Sequence, residues 1–190
     1  EKIFTITVNS QDEIFVAMDG SKRILKFTSS DPTCVEYFAP AGDDDVRGLA
    51  FDSNDILYSI SRTDPKLYRY TESNGTVTRA VVAGSSNGYV DGTGSSAKFY
   101  EARNIIADKQ GNIYVADSTN NRVRKVTYDG VVTTFAGTGA SGSTVDSNKN
   151  PLASTFASPH SLAIDKYNNI YIGSYSSGSK IVAIGLENLV

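Results

Sequence analysis

Apolar residues in this chain fall in short runs of four to seven, separated by clusters of Asp, Asn, Gly and Ser. The stretch from 104 to 136 shows the pattern most cleanly. An apolar run, Asn104-Ile105-Ile106-Ala107, leads into the polar turn Asp108-Lys109-Gln110-Gly111-Asn112, and then into the alternating run Ile113-Tyr114-Val115-Ala116. A second polar turn over 118–121 precedes Arg122-Val123-Arg124-Lys125-Val126-Thr127, and Asp129-Gly130 precedes Val131-Val132-Thr133-Thr134-Phe135-Ala136. Runs of this length with period-two alternation, punctuated by turn formers, predict a four-stranded antiparallel meander. Nowhere does apolar spacing of i, i+3, i+4, i+7 persist over eleven residues, so no amphipathic helix is expected and the chain reads as all-β.

The unit recurs. Segments 46–70, 102–128 and 159–184 superpose well, and 4–27 does so more loosely. Anchoring on Asp52, Asp108 and Asp165 gives steps of 56 and 57 residues, and Asn9 takes the same place 43 residues before Asp52. A fourth strand recurs over 77–83 and, less cleanly, 34–39. Four-stranded units at this period cannot each bury both faces alone, and stacking them around a central channel makes a β-propeller. The expected fold is therefore about four blades, over 1–42, 43–86, 87–140 and 141–190, with Leu49, Ala50, Ile105, Ile106, Leu162 and Ile164 on the strands nearest the axis.

Composition narrows the function. No apolar run reaches the eighteen residues that would span a bilayer. Net charge is −3, with 18 basic residues interspersed among 21 acidic ones, so no overall field favours nucleic acid or anionic lipid. Cys34 is the single cysteine, which excludes an internal disulfide and a zinc site built on paired thiolates; it is expected as a small apolar residue in a strand. The chain starts at Glu1 with no signal-like stretch before the first strand, so either a signal has been removed or the N-terminus lies elsewhere.

The strings Gly111-Asn112-Ile113-Tyr114-Val115-Ala116-Asp117, Asn121-Arg122-Val123-Arg124-Lys125 and Gly130-Val131-Val132-Thr133-Thr134-Phe135-Ala136-Gly137 resemble the NHL repeat. The linker Asp91-Gly92-Thr93-Gly94-Ser95-Ser96-Ala97-Lys98-Phe99 is similar to the connection between blades in the Bacteroidetes surface-protein branch, where the propeller follows an immunoglobulin-like domain. In the last unit, Ser158-Pro159-His160-Ser161-Leu162-Ala163-Ile164-Asp165 and Asn169-Ile170-Tyr171-Ile172-Gly173 match, after which Tyr175 and its successors depart from the pattern. The resemblance implies a six-bladed parent propeller, extracellular or at the cell surface, with a lipid anchor possible upstream. It also brings a class of channel-centred metal-dependent hydrolases and lyases, and some nucleic-acid binders.

Most chemistry-bearing patterns have a structural reading. Asp52, Asp108 and Asp165 open turns in which Asp accepts hydrogen bonds from the backbone. Phe15, Tyr58, Tyr114 and Tyr171 form a column that packs blades together. Asp91-Gly92-Thr93-Gly94 and Asp43-Asp44-Asp45 invite calcium, but their spacing matches no full calcium loop, so no cofactor is expected. Arg23, Lys66, Arg122 and Lys180 open third strands and read as edge charges.

One set does not resolve so simply. Arg47, Arg103 and His160 each lie five residues before the anchoring Asp, at the start of an inner strand, with Phe4 in the fourth unit. Shared register would put three basic groups on one rim of the channel, where two guanidiniums can hold a carboxylate or sulfate. The expected function is a non-catalytic surface module whose rim binds a glycan or protein partner, preferably acidic, and no nucleic acid. The alternative is a metal-dependent hydrolase or lyase, to which this segment offers one histidine and no Gly-x-Ser-x-Gly turn.

Overall fold

The structure, a computed structural model, describes residues 2–18, 23–28, 33–39, 45–145, 150–175 and 181–185. Four antiparallel sheets follow one another along the chain. Blade 1 comprises β1 (Ile3–Val8), β2 (Ile14–Met18), β3 (Ile24–Phe27) and β4 (Val35–Phe38); blade 2 comprises β5 (Val46–Phe51), β6 (Leu57–Ser61), β7 (Leu67–Ser73) and β8 (Thr76–Ala83). Blade 3 holds β9 (Gly92–Thr93), β10 (Ala102–Ala107), β11 (Ile113–Asp117), β12 (Arg122–Val126) and β13 (Val131–Ala136). Blade 4 holds β14 (Pro159–Ile164), β15 (Asn169–Ser174) and β16 (Ile181–Gly185). Together they form a four-blade β-propeller arrangement.

Each blade is a meander in sequence order, except that β9, from the glycine-rich linker, adds to the outer edge of β13. Among the described residues blade 4 shows three strands. Cys34 sits one residue ahead of β4 and is exposed, so it is not the small apolar strand residue expected.

The inner strands β1, β5, β10 and β14 pack side by side in that order. They surround a cavity of about 290 Å³ to which Leu49, Ala50, Ile105, Ile106, Leu162 and Ile164 all contribute. Approach between inner strands is close: a Cβ on Gly48 would lie 2.7 Å from the Ile105 nitrogen, so β5 can meet β10 here only with glycine. Between β10 and β14, Asn104 Oδ1 accepts a hydrogen bond from the Leu162 nitrogen at 3.0 Å.

Three cores separate the four blades, as period-two alternation requires when a sheet is buried on both faces. Phe15, Ala17 and Ile24 of blade 1 meet Leu57 and Tyr70 of blade 2. On β11, Ile113 and Val115 turn toward blade 2, whereas Tyr114 and Ala116 turn toward blade 4. The aromatic column behaves as inter-blade packing: Phe15, Tyr58 and Tyr114 are buried, and Tyr114 meets Phe135 edge-on at 4.9 Å. Tyr171, on the face of blade 4 turned away from blade 3, is exposed.

The turn joining first and second strands is the same device in every blade. Asp52 Oδ1 accepts from the nitrogens of Asn54 and Ile56, Asp108 Oδ1 from those of Gln110 and Asn112, and Asp165 Oδ1 from those of Tyr167 and Asn169. Asn9 does the same for Gln11 and Glu13. The second carboxylate oxygen of each Asp then accepts the hydroxyl of Tyr58, Tyr114 or Tyr171, so the turn also fixes the aromatic column. Burial, with Asp52 beside it, pushes the Tyr58 hydroxyl up to about 12.

These contacts set an expectation for Asp108→Ala. It strips two backbone donors and leaves the buried Tyr114 hydroxyl without its acceptor, a cost of about 2–3 kcal/mol. Urea denaturation should show this loss, and Asp165→Ala, at an exposed turn, should cost less.

Candidate functional site

The four residues in the shared register do converge, and the pairing of the inner strands explains how. In every blade the ladder between first and second strands slips at one place: between Ile3 and Thr5, Val46 and Gly48, Ala102 and Ile105, and Pro159 and Ser161. The residues inside these irregularities are Phe4, Arg47, Arg103 with Asn104, and His160. A bulge leaves its extra residue out of the ladder and re-aims the side chain. Repeated in adjacent blades, it turns four side chains out of the channel wall and onto one rim. Glu101 (φ 49°) and Ser158 (φ 55°), two residues before Arg103 and His160, hold left-handed backbone without being glycine. Such conformations are costly for ordinary residues and collect at functional sites.

Arg47 lies over the Phe4 ring, its Cζ 3.5 Å from the centroid, and its Nη2 donates to Asp45 at 2.8 Å. Asp45 also accepts from Arg62 Nε at 2.7 Å. Burial works to raise the Asp45 carboxyl, but the hydrogen bonds from Arg47 and Arg62 outweigh it and hold the group below the usual carboxylate range. Arg103 Nη2 lies 3.4 Å from Glu101. Among the described residues, three guanidiniums, those of Arg47, Arg62 and Arg103, thus meet two carboxylates.

His160 is half-buried, and its imidazole is held below its usual range by burial first, then by the charges of Arg103 and Arg47. Its ring packs on Tyr175 with centroids 5.0 Å apart and planes tilted by 30°. Three nitrogens in this cluster, Arg47 Nε, Arg103 Nε and His160 Nδ1, are buried without a hydrogen-bond partner. Buried polar atoms are almost always paired, and each orphan asks for an explanation.

The other charged candidates are used internally. Arg23 pairs with Glu36 at 3.1 Å and Lys66 with Asp64 at 2.7 Å; Lys180 lies outside the described residues. Arg122 lies over Tyr89, its Cζ 3.8 Å from the ring centroid, and donates to the carbonyls of Asn120 and Thr138. Asp91, the acid of the glycine-rich linker, accepts from Arg124 and Thr134, and Asp45 is taken by Arg47 and Arg62. Asp43 and Asp44 lie outside the described residues. Among those described, no group of three or more His, Cys, Asp or Glu side chains is placed to hold a metal, and no helix is long and apolar enough to cross a membrane.

Arg124 is the residue the sequence reading passed over. It is fully buried; Nη1 donates to Asp117 at 2.9 Å and to the Lys98 carbonyl at 3.0 Å, and Nη2 to the Val90 carbonyl and Asp91. Asp117, also fully buried, accepts from the Tyr100 nitrogen and Asn120. This network fastens the linker between blades 2 and 3 onto blade 3, and it sets the path by which the chain reaches Glu101 and Arg103.

Fold and rim define a β-propeller with a basic cluster at one end of its channel. No protein-family model matches the chain, and no curated protein matches it. Solved structures do share the fold. A protein of unknown function from Bacteroides thetaiotaomicron is 20% identical, with a TM-score of 0.76 over 90% of this chain and 44% of that one. An auxiliary nutrient binding protein from Bacteroides ovatus is 21% identical, with a TM-score of 0.73 over 95% of this chain and 48% of that one. Virginiamycin B lyase from Staphylococcus aureus is 14% identical, with a TM-score of 0.62 over 97% and 55%. The chain spans about half the length of these structures.

Proposed function

We propose that this chain is a binding module of the bacterial cell surface whose channel rim takes an acidic glycan, with Arg47, Arg103 and His160 as the ligand-binding residues. The observation that carries the reading is the set of three buried, unpartnered nitrogens on the bulge residues of adjacent blades. An anion, directly or through water, supplies the acceptor that the guanidiniums need, and paired hydrogen bonds to carboxylate or sulfate are what Arg geometry favours. The fold likeness to a Bacteroides nutrient binding protein supports a surface or periplasmic binder. We assign the repeats to the NHL type on the strings of blade 3, within a larger propeller that follows an immunoglobulin-like domain.

Calorimetric titration with acidic and neutral oligosaccharides tests this. Acidic ligands should bind, more weakly as salt rises, because partly exposed charges are screened. A chain that bound only neutral ligands would overturn the reading.

The pH dependence has a definite sign. In the free protein His160 sits below 6.5, and an anion beside it favours the imidazolium, so the complex holds more protons than its parts. Affinity should therefore be flat at alkaline pH and rise on acidification through the titration of His160, by at most about tenfold per pH unit for one proton. Asp45, held below the usual carboxylate range, titrates at lower pH than His160.

The unpartnered His160 Nδ1 is also the observation that favours a metal-dependent lyase or hydrolase. Stoichiometric metal in the purified protein, lost in His160→Gln, would establish that reading instead.

A further inference from the structure

We propose that Tyr175 is a sugar platform and that the ligand of the rim is a hexuronate-containing saccharide, its pyranose ring on Tyr175 and its carboxylate against His160 and Arg103. This rests on the rim reading above and deepens it. Tyr175 is 74% exposed, too open for its ring to serve the inter-blade cores, and none of those cores includes it. Its position is nevertheless built. The Tyr175 nitrogen donates to the Ser158 carbonyl at 3.0 Å, the residue with left-handed backbone that leads into β14, and the ring lies along the His160 imidazole. One amide contact and one ring contact therefore present an exposed aromatic face beside the basic cluster.

An aromatic ring with one polar end is a surface on which the C–H face of a pyranose can rest while its hydroxyls stay in water. The spacing sets the chemistry of the anion. With Tyr175 and His160 centroids only 5.0 Å apart, ring and charge can belong to the same residue of the ligand. A hexuronate meets this condition, because its carboxylate is attached directly to a ring carbon. A carboxylate is also planar, so it can lie edge-on to the Arg103 guanidinium.

The test uses trigalacturonate, maltotriose and inorganic sulfate as probes against the wild type, Tyr175→Ala, Tyr175→Phe and Arg47→Ala/Arg103→Ala. Trigalacturonate should bind the wild type and Tyr175→Phe alike, and Tyr175→Ala about threefold to tenfold more weakly, while sulfate binding is the same in all three. The double arginine variant should lose both anions, and maltotriose should bind none of the proteins measurably. If Tyr175→Ala takes trigalacturonate as well as the wild type while the arginine variant loses it, the platform is refuted and the rim survives. Sulfate binding without uronate binding has the same meaning. If the arginine variant binds both anions like the wild type, the rim reading itself falls.

Discussion

Replacing Arg124 with Ala should be the most damaging single change in this protein. It removes the partner of a fully buried Asp117 and releases the carbonyls of Lys98 and Val90 together with Asp91. Breaking a buried pair from one side costs about 3–5 kcal/mol, because the remaining charge stays in a medium that solvates it poorly. For a chain of this size that lowers the melting temperature by on the order of 10 °C. The pair need not be worth more than a well-packed apolar substitute. Its role is to specify where the linker between blades 2 and 3 lies. The double variant Arg124→Met/Asp117→Asn should therefore cost clearly less than the sum of its parts. Thermal and urea denaturation of Arg124→Met, Asp117→Asn and the double variant would show this coupling, and a loss below about 1 kcal/mol for Arg124→Ala, measured alongside, would contradict the importance of the pair.

The second large effect is expected at the rim. A hydrogen bond to a charged group contributes about 1.5–3 kcal/mol, so Arg47→Ala/Arg103→Ala should weaken binding of an acidic oligosaccharide by at least about a hundredfold. Each single variant should fall between the double variant and the wild type. Removing Arg47 also frees Asp45, which keeps Arg62 as a partner, so stability should change less than affinity. Calorimetry on folded variants separates the two. A double variant that binds as well as the wild type would mean that these guanidiniums serve only Asp45 and Glu101.

What could be read from the sequence was whatever repeats. Asn9, Asp52, Asp108 and Asp165 stand at fixed steps because each blade closes its first hairpin with the same side-chain-to-backbone turn. The continuous burial of β6 and β11 follows because a blade between two others must be apolar on both faces. The register of Phe4, Arg47, Arg103 and His160 was visible for the same reason, but the bulge that aims them was not. A bulge is a relation between two strands and leaves no letter of its own in either.

What could not be read occurs once. Arg124 is confined to blade 3; counting from the shared start of the third strand, blades 1 and 2 carry Leu25 and Tyr68 there. Asp117 lies seven residues away on the adjacent strand of the same blade, whereas Val90, Asp91 and Lys98 reach it from the linker, 26 to 34 residues off. Asp45 and Glu101 each stand two residues before a rim arginine, at the same 56-residue step, but that they pair with the guanidiniums shows only in the folded chain. Tyr175 lies where blade 4 leaves the pattern, and its value comes from His160 beside it. Cys34 lies one residue ahead of β4, whose own first residues are exposed as well.

The chain has a single histidine, and it stands at the rim, so one side chain reports on the whole proposal. Following the His160 ring by NMR across pH, with and without trigalacturonate, measures its pKa in the free and bound protein. The account predicts a value below 6.5 in the free protein, raised when the ligand saturates, with the ring signals shifting at the same ligand concentrations that give the calorimetric isotherm. A bound acidic saccharide that left the His160 titration unchanged would place the binding site elsewhere and contradict the account.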